Sequence, residues 1–332
     1  MERLRLGVLG TSGHYELRVA TPLKSSSLVE PYAIASRNKE KAQAFAKKWD
    51  FSAVYGSYEE LLADPKVDFV YAPLPNHLHL PNIKKAADAG KPILCEKPLG
   101  LNAKEAVEAT EYCEKKGVPL MEGFMYRFHP QWRRAKELVK CGEIGTVRTT
   151  SGLFSYDLKD GGNIRNIAAA GGGAILDIGC YTVSSARLLM GAEPERVIGT
   201  FIWDPVFKTD ILGSAILDFG GGRTSTFSLG TQVYPYQRVT AIGTGGYLSI
   251  KVPFNMFGDV PGEITVNNGV EERLIKTEIV DQYRLEFDAF AQSIINKTGV
   301  PTPVCDAIAN MAVLDALLAS AKSGVWEKVI KY

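Results

Sequence analysis

The chain carries almost no excess of charge: 38 Lys and Arg stand against 37 Asp and Glu, a net of +1 over 332 residues. That balance gives no electrostatic footprint for nucleic acid or an anionic membrane. No stretch approaches ~18 consecutive apolar residues, so no membrane span is expected. Only four histidines occur, and none has an acidic partner at ligand spacing, so a metal centre is not expected. The five cysteines (Cys95, Cys113, Cys141, Cys180, Cys305) are odd in number and scattered, without a C-x-x-C. They read as reduced thiols of a cytoplasmic protein. Met1-Glu2-Arg3 runs directly into an apolar strand, which leaves no room for a signal peptide in the expected organisation. Internal repeats and low-complexity linkers are missing too. What remains is a globular chain of about two domains, long enough to bury ~75% of its unfolded surface.

The first part alternates short apolar runs with helical patterns. Leu4–Leu9 reads as a strand entering the turn Gly10-Thr11-Ser12-Gly13, where backbone N–H groups can approach an anion. The full G-x-G-x-x-G is absent, because Ser12 and Tyr15 stand where the second and third glycines would be. Tyr32–Ala35 is a second strand, and the helix Lys39–Trp49 puts Ala42, Phe45, Ala46 and Trp49 on one face. Ser57-Tyr58-Glu59-Glu60 is a capping box. Further strands are expected over Val67–Ala72, Lys91–Glu96 and Val118–Glu122, with Gly90 and Gly117 ending helices and Asn102 capping one. These five strands, with a third in chain order expected before Val67–Ala72, make six alternating with helices and predict an α/β Rossmann domain with a doubly wound parallel sheet, residues 1–123.

A dinucleotide fold often places an acid at the end of its second strand to hold the adenosine ribose. Here Ser36 and Arg37 occupy that end. A hydroxyl and a guanidinium suit a 2′-phosphate, so NADP(H) is favoured over NAD(H); a plain surface arginine at a helix start is the other reading. Pro73-Leu74-Pro75-Asn76-His77-Leu78-His79 forms a fixed loop at the same carboxyl edge, its histidines read as cofactor contacts or helix caps. Pro98 ends the apolar run Ile93-Leu94-Cys95 and holds Glu96 and Lys97 at the sheet's ligand edge. In isolation that pair would read as a solvated rim.

After Gly123 the pattern changes. An aromatic and basic tract, Phe124 to Pro130, precedes a helix over Gln131–Lys140. Eight strands are then expected: 147–154, 197–203, 214–219, 224–229, 238–242, 247–251, 264–266 and 271–276, with glycine-rich hairpin turns between some of them. This is an α+β domain, residues 124–332, with a large, open, mostly antiparallel sheet. Its last two helices, Tyr283–Asn296 and Asp306–Ser323, read as strongly amphipathic. A sheet with one uncovered face needs cover, so a homodimer or homotetramer is expected. Gly171-Gly172-Gly173 allows a tight entry into a helix carrying Asp177 and Tyr181 at i and i+4. A carboxylate beside a phenol can orient it for proton transfer; a dipole-favoured acid and a core-edge tyrosine fit the same residues. Loop donors at Asn163-Ile164-Arg165-Asn166 can hold substrate hydroxyls.

Taken together, the opening turn, Glu96-Lys97-Pro98, the tract after Gly123 and Asp177-x-Gly179-x-Tyr181 resemble the glucose–fructose oxidoreductase / inositol dehydrogenase family over essentially the whole chain. The resemblance implies Lys97 as active-site lysine, Asp177 as substrate-positioning acid and Tyr181 as proton-transfer residue, with the lysine favouring the phenolate. Gly10, Thr11, Ser12, Gly13, Ser36, Arg37, Pro73, Leu74, Asn76, His79, Glu96 and Lys97 are the expected cofactor residues. Tyr126, Arg127, Phe128, Arg165, Asn166 and Asp177 are the expected substrate residues. Tyrosine at 181 is similar to the branch of NADP-dependent xylose dehydrogenases and dimeric dihydrodiol dehydrogenases, whereas the inositol branch usually carries histidine. The expected activity is hydride exchange with a sugar or polyol carbon. A trans-dihydrodiol dehydrogenase and a non-catalytic dinucleotide sensor are the alternatives.

Overall fold

The computed structural model describes residues 3–332. Its strands and helices, in chain order, are β1 (Leu4–Leu9), α1 (Ala20–Leu23), β2 (Val29–Ala35), α2 (Lys39–Trp49), β3 (Ala53–Tyr55), α3 (Tyr58–Ala63), β4 (Phe69–Ala72), α4 (His79–Asp88), β5 (Ile93–Glu96), α5 (Ala103–Lys116), β6 (Leu120–Gly123) and α6 (Pro130–Lys140). There follow β7 (Val147–Asp157), α7 (Cys180–Met190), β8 (Arg196–Trp203), β9 (Asp210–Asp218), β10 (Thr224–Gly230), β11 (Gln232–Gly243), β12 (Tyr247–Ile250), β13 (Glu263–Asn267), β14 (Glu272–Lys276), α8 (Gln282–Asn296), α9 (Val304–Ser323) and β15 (Glu327–Lys328).

The first unit is a six-stranded parallel sheet in the order β3-β2-β1-β4-β5-β6. This is the doubly wound order, with its strand reversal between β1 and β4, where ligands bind at the carboxyl ends. Local chemistry sets the helix ends. Asn38 accepts from Lys41 N at 2.7 Å and Ser57 from Glu60 N at 3.1 Å, each satisfying an orphan helix donor. Gly117 closes α5 in the left-handed region at φ +67°. The strand β2 runs back to Val29, three residues before the expected Tyr32, because Pro31 is accommodated at a register shift against β1.

The second unit is a nine-stranded sheet, β14-β13-β12-β11-β7-β10-β9-β8-β15. All its pairs are antiparallel except β7 with β10. The eight expected strands are present, and β15 adds a two-residue pairing on β8.

The division between units differs from a single cut at 123/124. One unit comprises Met1–Met125 with Tyr283–Ile308, the other Tyr126–Gln282 with Ala309–Tyr332. Helix α8 returns to the first unit because its aromatic face is used there: Phe287 meets Tyr71 at 4.9 Å between centroids and Phe290 meets Phe69 at 5.8 Å. Helix α9 is not amphipathic as expected, since five consecutive residues, Asn310 to Leu314, are buried. Among the described residues it is the one helix long and apolar enough to cross a membrane by length and composition. Its polar groups serve the second unit instead: Asn310 Nδ2 donates to the Cys180 carbonyl at 3.1 Å and receives Arg187 Nη1 at 3.2 Å. Among the described residues all five cysteines are free, and no cluster of three His, Cys, Asp or Glu is arranged to hold a metal.

Candidate active site

The carboxyl edge of the parallel sheet gathers the expected nucleotide residues. Gly10 lies at φ +99°, and its N–H donates to Ala35 O at 2.8 Å, so the first turn is tied to the end of β2. A side chain on Gly10 would press on Leu74 and the Tyr58 hydroxyl at 3.2 and 3.3 Å, whereas one on Gly13 would meet nothing within 4 Å. The surface over Gly13 is therefore open, and a pyrophosphate fits there on backbone donors. Ser12 Oγ accepts His14 N at 3.1 Å. Tyr15, in the place of a third glycine, opens a π-helical turn, Tyr15–Val19, and is buried against Phe45, Phe51 and Tyr71. The wide turn makes room for a ring where a glycine would allow close helix–strand packing. Ser36 is buried with its Oγ accepting Asn38 N at 3.3 Å, and Arg37 is exposed beside Tyr58. No acid stands at this end of β2.

Glu96 is pinned from two sides. The Tyr71 hydroxyl donates to its Oε1 at 2.6 Å, and His14 Nε2 lies 3.3 Å from the same oxygen. Burial alone would raise this carboxyl, but His14, the Tyr71 hydroxyl and the Lys97 charge hold it down to about 2. Behind it, Glu286 of α8 is fully buried, its carboxyl pushed well up by burial and then by Glu96 and Glu122. Lys97 is half-buried and joined to Pro98 by a cis peptide. The turn beyond is held by Glu122, which accepts Leu99 N at 2.8 Å. His79 is sealed, its ring nitrogens 2.9 Å from Pro98 O and 2.8 Å from Leu74 O. It braces the Pro73–Asn76 loop against the turn after Lys97 and reaches a ligand only through them.

In the second unit, Asp177 and Tyr181 lie on one continuous helix that begins as a π-turn, Ile175–Gly179, before α7. Such wide turns recur at functional sites. Gly171 and Gly173 enter it at φ +79° and +119°, conformations that only glycine adopts freely. Asp177 Oδ2 accepts the Tyr156 hydroxyl at 2.6 Å and Arg165 Nε at 3.0 Å. The Asp177 charge, against the effect of burial, raises Arg165 above its usual value, so the guanidinium stays ionised. Burial, and then Asp177, push the Tyr156 phenol far up, so it stays a neutral donor. Tyr181 is 4% exposed, its ring 5.9, 5.6 and 5.3 Å from those of Tyr126, Phe154 and Phe254. Such packing fixes the ring plane.

The remaining expected substrate residues divide by burial. Tyr126 is fully buried, its hydroxyl 2.7 Å from Ser184 Oγ, and Arg127 Nη2 donates to the same oxygen at 2.6 Å. Phe128 is buried, and Asn166 spends its amide on the Leu158 and Asp160 carbonyls at 3.3 and 2.8 Å. These three are buried, whereas Arg127 and Arg165 are half-buried. Sequence reasoning missed Tyr156, Ser184 and Tyr71, each a hydroxyl that orients a charged or aromatic site residue. No local pattern marks them, because each meets its partner from a distant element.

A dinucleotide fold with a cationic ligand edge, joined to an open-sheet unit bearing an oriented carboxylate and a packed phenol, defines an NAD(P)-dependent oxidoreductase. The comparisons agree. Residues 4–124 match the oxidoreductase family, NAD-binding Rossmann fold, and residues 132–249 match the GFO/IDH/MocA C-terminal domain. The chain belongs to the GFO/IDH/MocA oxidoreductase family. It is 39% identical to a D-xylose 1-dehydrogenase (NADP(+)) of Haloferax volcanii over 97% of this chain and 98% of that one. It is 32% identical to the trans-1,2-dihydrobenzene-1,2-diol dehydrogenase of Mus musculus over 74% and 72% of the two chains. Among solved structures, a 3-ketoreductase from Actinomadura kijaniata in complex with NADP and TDP-benzene superposes with a TM-score of 0.90 at 29% identity, covering 96% and 98% of the two chains.

Proposed function

We propose that the protein is an NADP(H)-dependent sugar oxidoreductase, acting at C1 of an aldose or at a sugar ketone. The observation that carries this reading is the held carboxylate and packed phenol one helical turn apart, Asp177 and Tyr181. The bound nicotinamide supplies or takes the hydride. The protein's own part is to bind, orient and move one proton. Backbone donors of the Gly10–Gly13 turn hold the pyrophosphate, Ser36 and Arg37 take the 2′-phosphate, and Pro73, Leu74 and Asn76 line the edge of the cofactor site. Glu96, kept ionised by its partners, stations Lys97, the active-site lysine. Asp177, held by Arg165 and Tyr156, receives a substrate hydroxyl, while Tyr181 exchanges the proton of the reacting oxygen. The xylose dehydrogenase relative supports an aldose, and the ketoreductase structure supports a ketosugar. A homodimer covering the open sheet completes the reading.

The test is NADPH absorbance in a panel of D-xylose, other aldoses, a nucleotide-linked ketosugar and trans-dihydrodiols. Turnover with an aldose or ketosugar is expected. Turnover confined to the dihydrodiols would replace this reading with that of an aryl dihydrodiol dehydrogenase. NADPH binding without turnover of any of them would replace it with a non-catalytic sensor.

A further inference from the structure

Asp210 begins β9, but its side chain turns away from the sheet to meet the start of the helix that carries Asp177 and Tyr181. Its Oδ2 accepts the Ile175 amide at 2.6 Å, and the Ala174 amide also bonds to the carboxylate. Ala174 and Ile175 are both fully buried, so these first helical donors have no water to turn to. The glycine run is shaped around the same contact. A Cβ on Gly173 would collide with Asp210 Oδ1, and one on Gly172 would collide with the Arg165 carbonyl. Only a residue without a side chain at position 173 lets the carboxylate close on the helix end, where its charge also complements the positive end of the helix dipole.

The arrangement has a cost, which argues for a purpose beyond filling space. Burial raises the Asp210 carboxyl, the amides of Ile175, Asp210 and Ala174 pull it back and the Asp177 charge raises it again, which together leave it at about 6. Tyr156 and Arg165 complete the polar surroundings, through their contacts with Asp177. The rest of the helix does not depend on Asp210 for its place, since α9 grips α7 through Asn310 at Cys180 and Arg187. Asp210 instead meets the first, π-helical turn, at its opening amide.

We infer that Asp210 is a positioning residue that fixes the register of the turn presenting Asp177 and, one turn on, Tyr181. The inference rests on the reading of Tyr181 as the proton-transfer group. Asp210 touches no reacting atom in this account and acts through the helix.

Full-length Asp210→Ala and Asp210→Asn, each with NADPH bound, test it by amide hydrogen exchange and by steady-state turnover of the substrate that the panel identifies. In Asp210→Ala, exchange over residues 174–177 is expected to rise about tenfold or more while 182–190 stays protected. Turnover should fall about 10- to 100-fold, the scale of a small misplacement, with KM changing less. In a Tyr181→Phe background the same change should cost clearly less than in the wild type, because one of the two misplaced groups is already missing. Asp210→Asn keeps one acceptor oxygen and should lie between, with exchange raised about threefold, as for a partly kept hydrogen bond. Unchanged exchange over 174–177, or a rate loss that simply adds to that of Tyr181→Phe, would overturn the inference. If Asp210→Ala does not fold, Asp210→Asn decides alone, and wild-type exchange over 174–177 overturns it. Near-normal turnover of Tyr181→Phe would remove Tyr181 from the mechanism, and the exchange pattern would still decide whether Asp210 holds the turn.

Discussion

The Tyr156 hydroxyl lies 2.6 Å from Asp177 Oδ2, joining the end of the long strand β7 to the carboxylate that the sequence pattern singles out. With Arg165 Nε on the same oxygen at 3.0 Å, the carboxylate is aimed rather than free to rotate. A hydrogen bond to a charged group contributes about 1.5–3 kcal/mol. Tyr156→Phe should therefore lower kcat/KM about tenfold or more while leaving NADPH affinity unchanged. An unchanged kcat/KM would show that Tyr156 does not orient Asp177.

The end of β2 makes a prediction about cofactor choice. With Ser36 and Arg37 in place of an acid, NADP(H) should bind more tightly than NAD(H), and Arg37→Ala should erase most of the difference, about 1.5–3 kcal/mol. Fluorescence titration of both reduced cofactors measures it. Equal dissociation constants in the unmutated protein would contradict the assignment.

Glu96 gives a pH dependence with a definite sign. Its carboxyl is held down to about 2 in the folded protein, against 4.5 for the free group. A depressed acid stabilises the fold above the unfolded value, and that stabilisation is lost as pH falls through the folded one. His14→Ala removes a principal partner, so the folded value rises, the stabilisation at neutral pH shrinks, and what is left disappears at a higher pH. Melting temperatures followed from neutral pH into acid should show the variant's decline beginning earlier. Parallel curves would exclude His14 as a determinant of the Glu96 charge.

Much of this was legible in the sequence, and the reason is locality. The turn Gly10–Gly13, the caps at Asn38 and Ser57, the glycine entry to the helix of Asp177 and Tyr181 and the alternating strands each state their physics within a few residues. Asp177 and Tyr181 share a helix, so their spacing alone brought them together. The features that escaped depend on long-range partners. Tyr71 reaches Glu96 across 25 positions and Asp210 reaches Ile175 across 35, and no periodicity marks a hydroxyl or a carboxylate for such a meeting. Helix α8 belongs to the first unit through partners far earlier in the chain, among them the rings on β4. His79 looked like a ligand contact because a histidine in a ligand-edge loop offers two ring nitrogens, but both are used by backbone carbonyls.

The uncovered face of the large sheet predicts assembly. Leu153, Ile202, Leu212 and Ile216 are exposed on one face of β7, β8 and β9, interleaved with Ser214, Thr226 and Ser228, a mixed surface of the kind a second copy covers. Light scattering at micromolar concentration should give a dimer mass or a multiple of it. Ile216→Lys, a charge introduced into the middle of that face, should shift the protein toward single chains without changing its secondary structure. A single-chain mass for the unmutated protein would rule out the symmetric assembly.

Tyr181 separates chemistry from packing. Its ring lies among Tyr126, Phe154 and Phe254, and Tyr181→Phe preserves that packing while deleting the hydroxyl. If Tyr181 moves the proton, turnover should fall by about 10²–10⁴, the usual contribution of general acid–base catalysis. NADPH affinity should hold, since the nucleotide residues belong to the other unit, and the melting temperature should barely move because the same ring fills the same place. Lys97→Met should also cost rate, as the loss of the active-site cation. If ring packing were all that Tyr181 contributed, the pattern would reverse, with turnover near normal and at most a small change in melting temperature. Steady-state kinetics beside a cofactor titration tell the two apart, and a near-normal kcat would leave Lys97 as the remaining candidate for the proton.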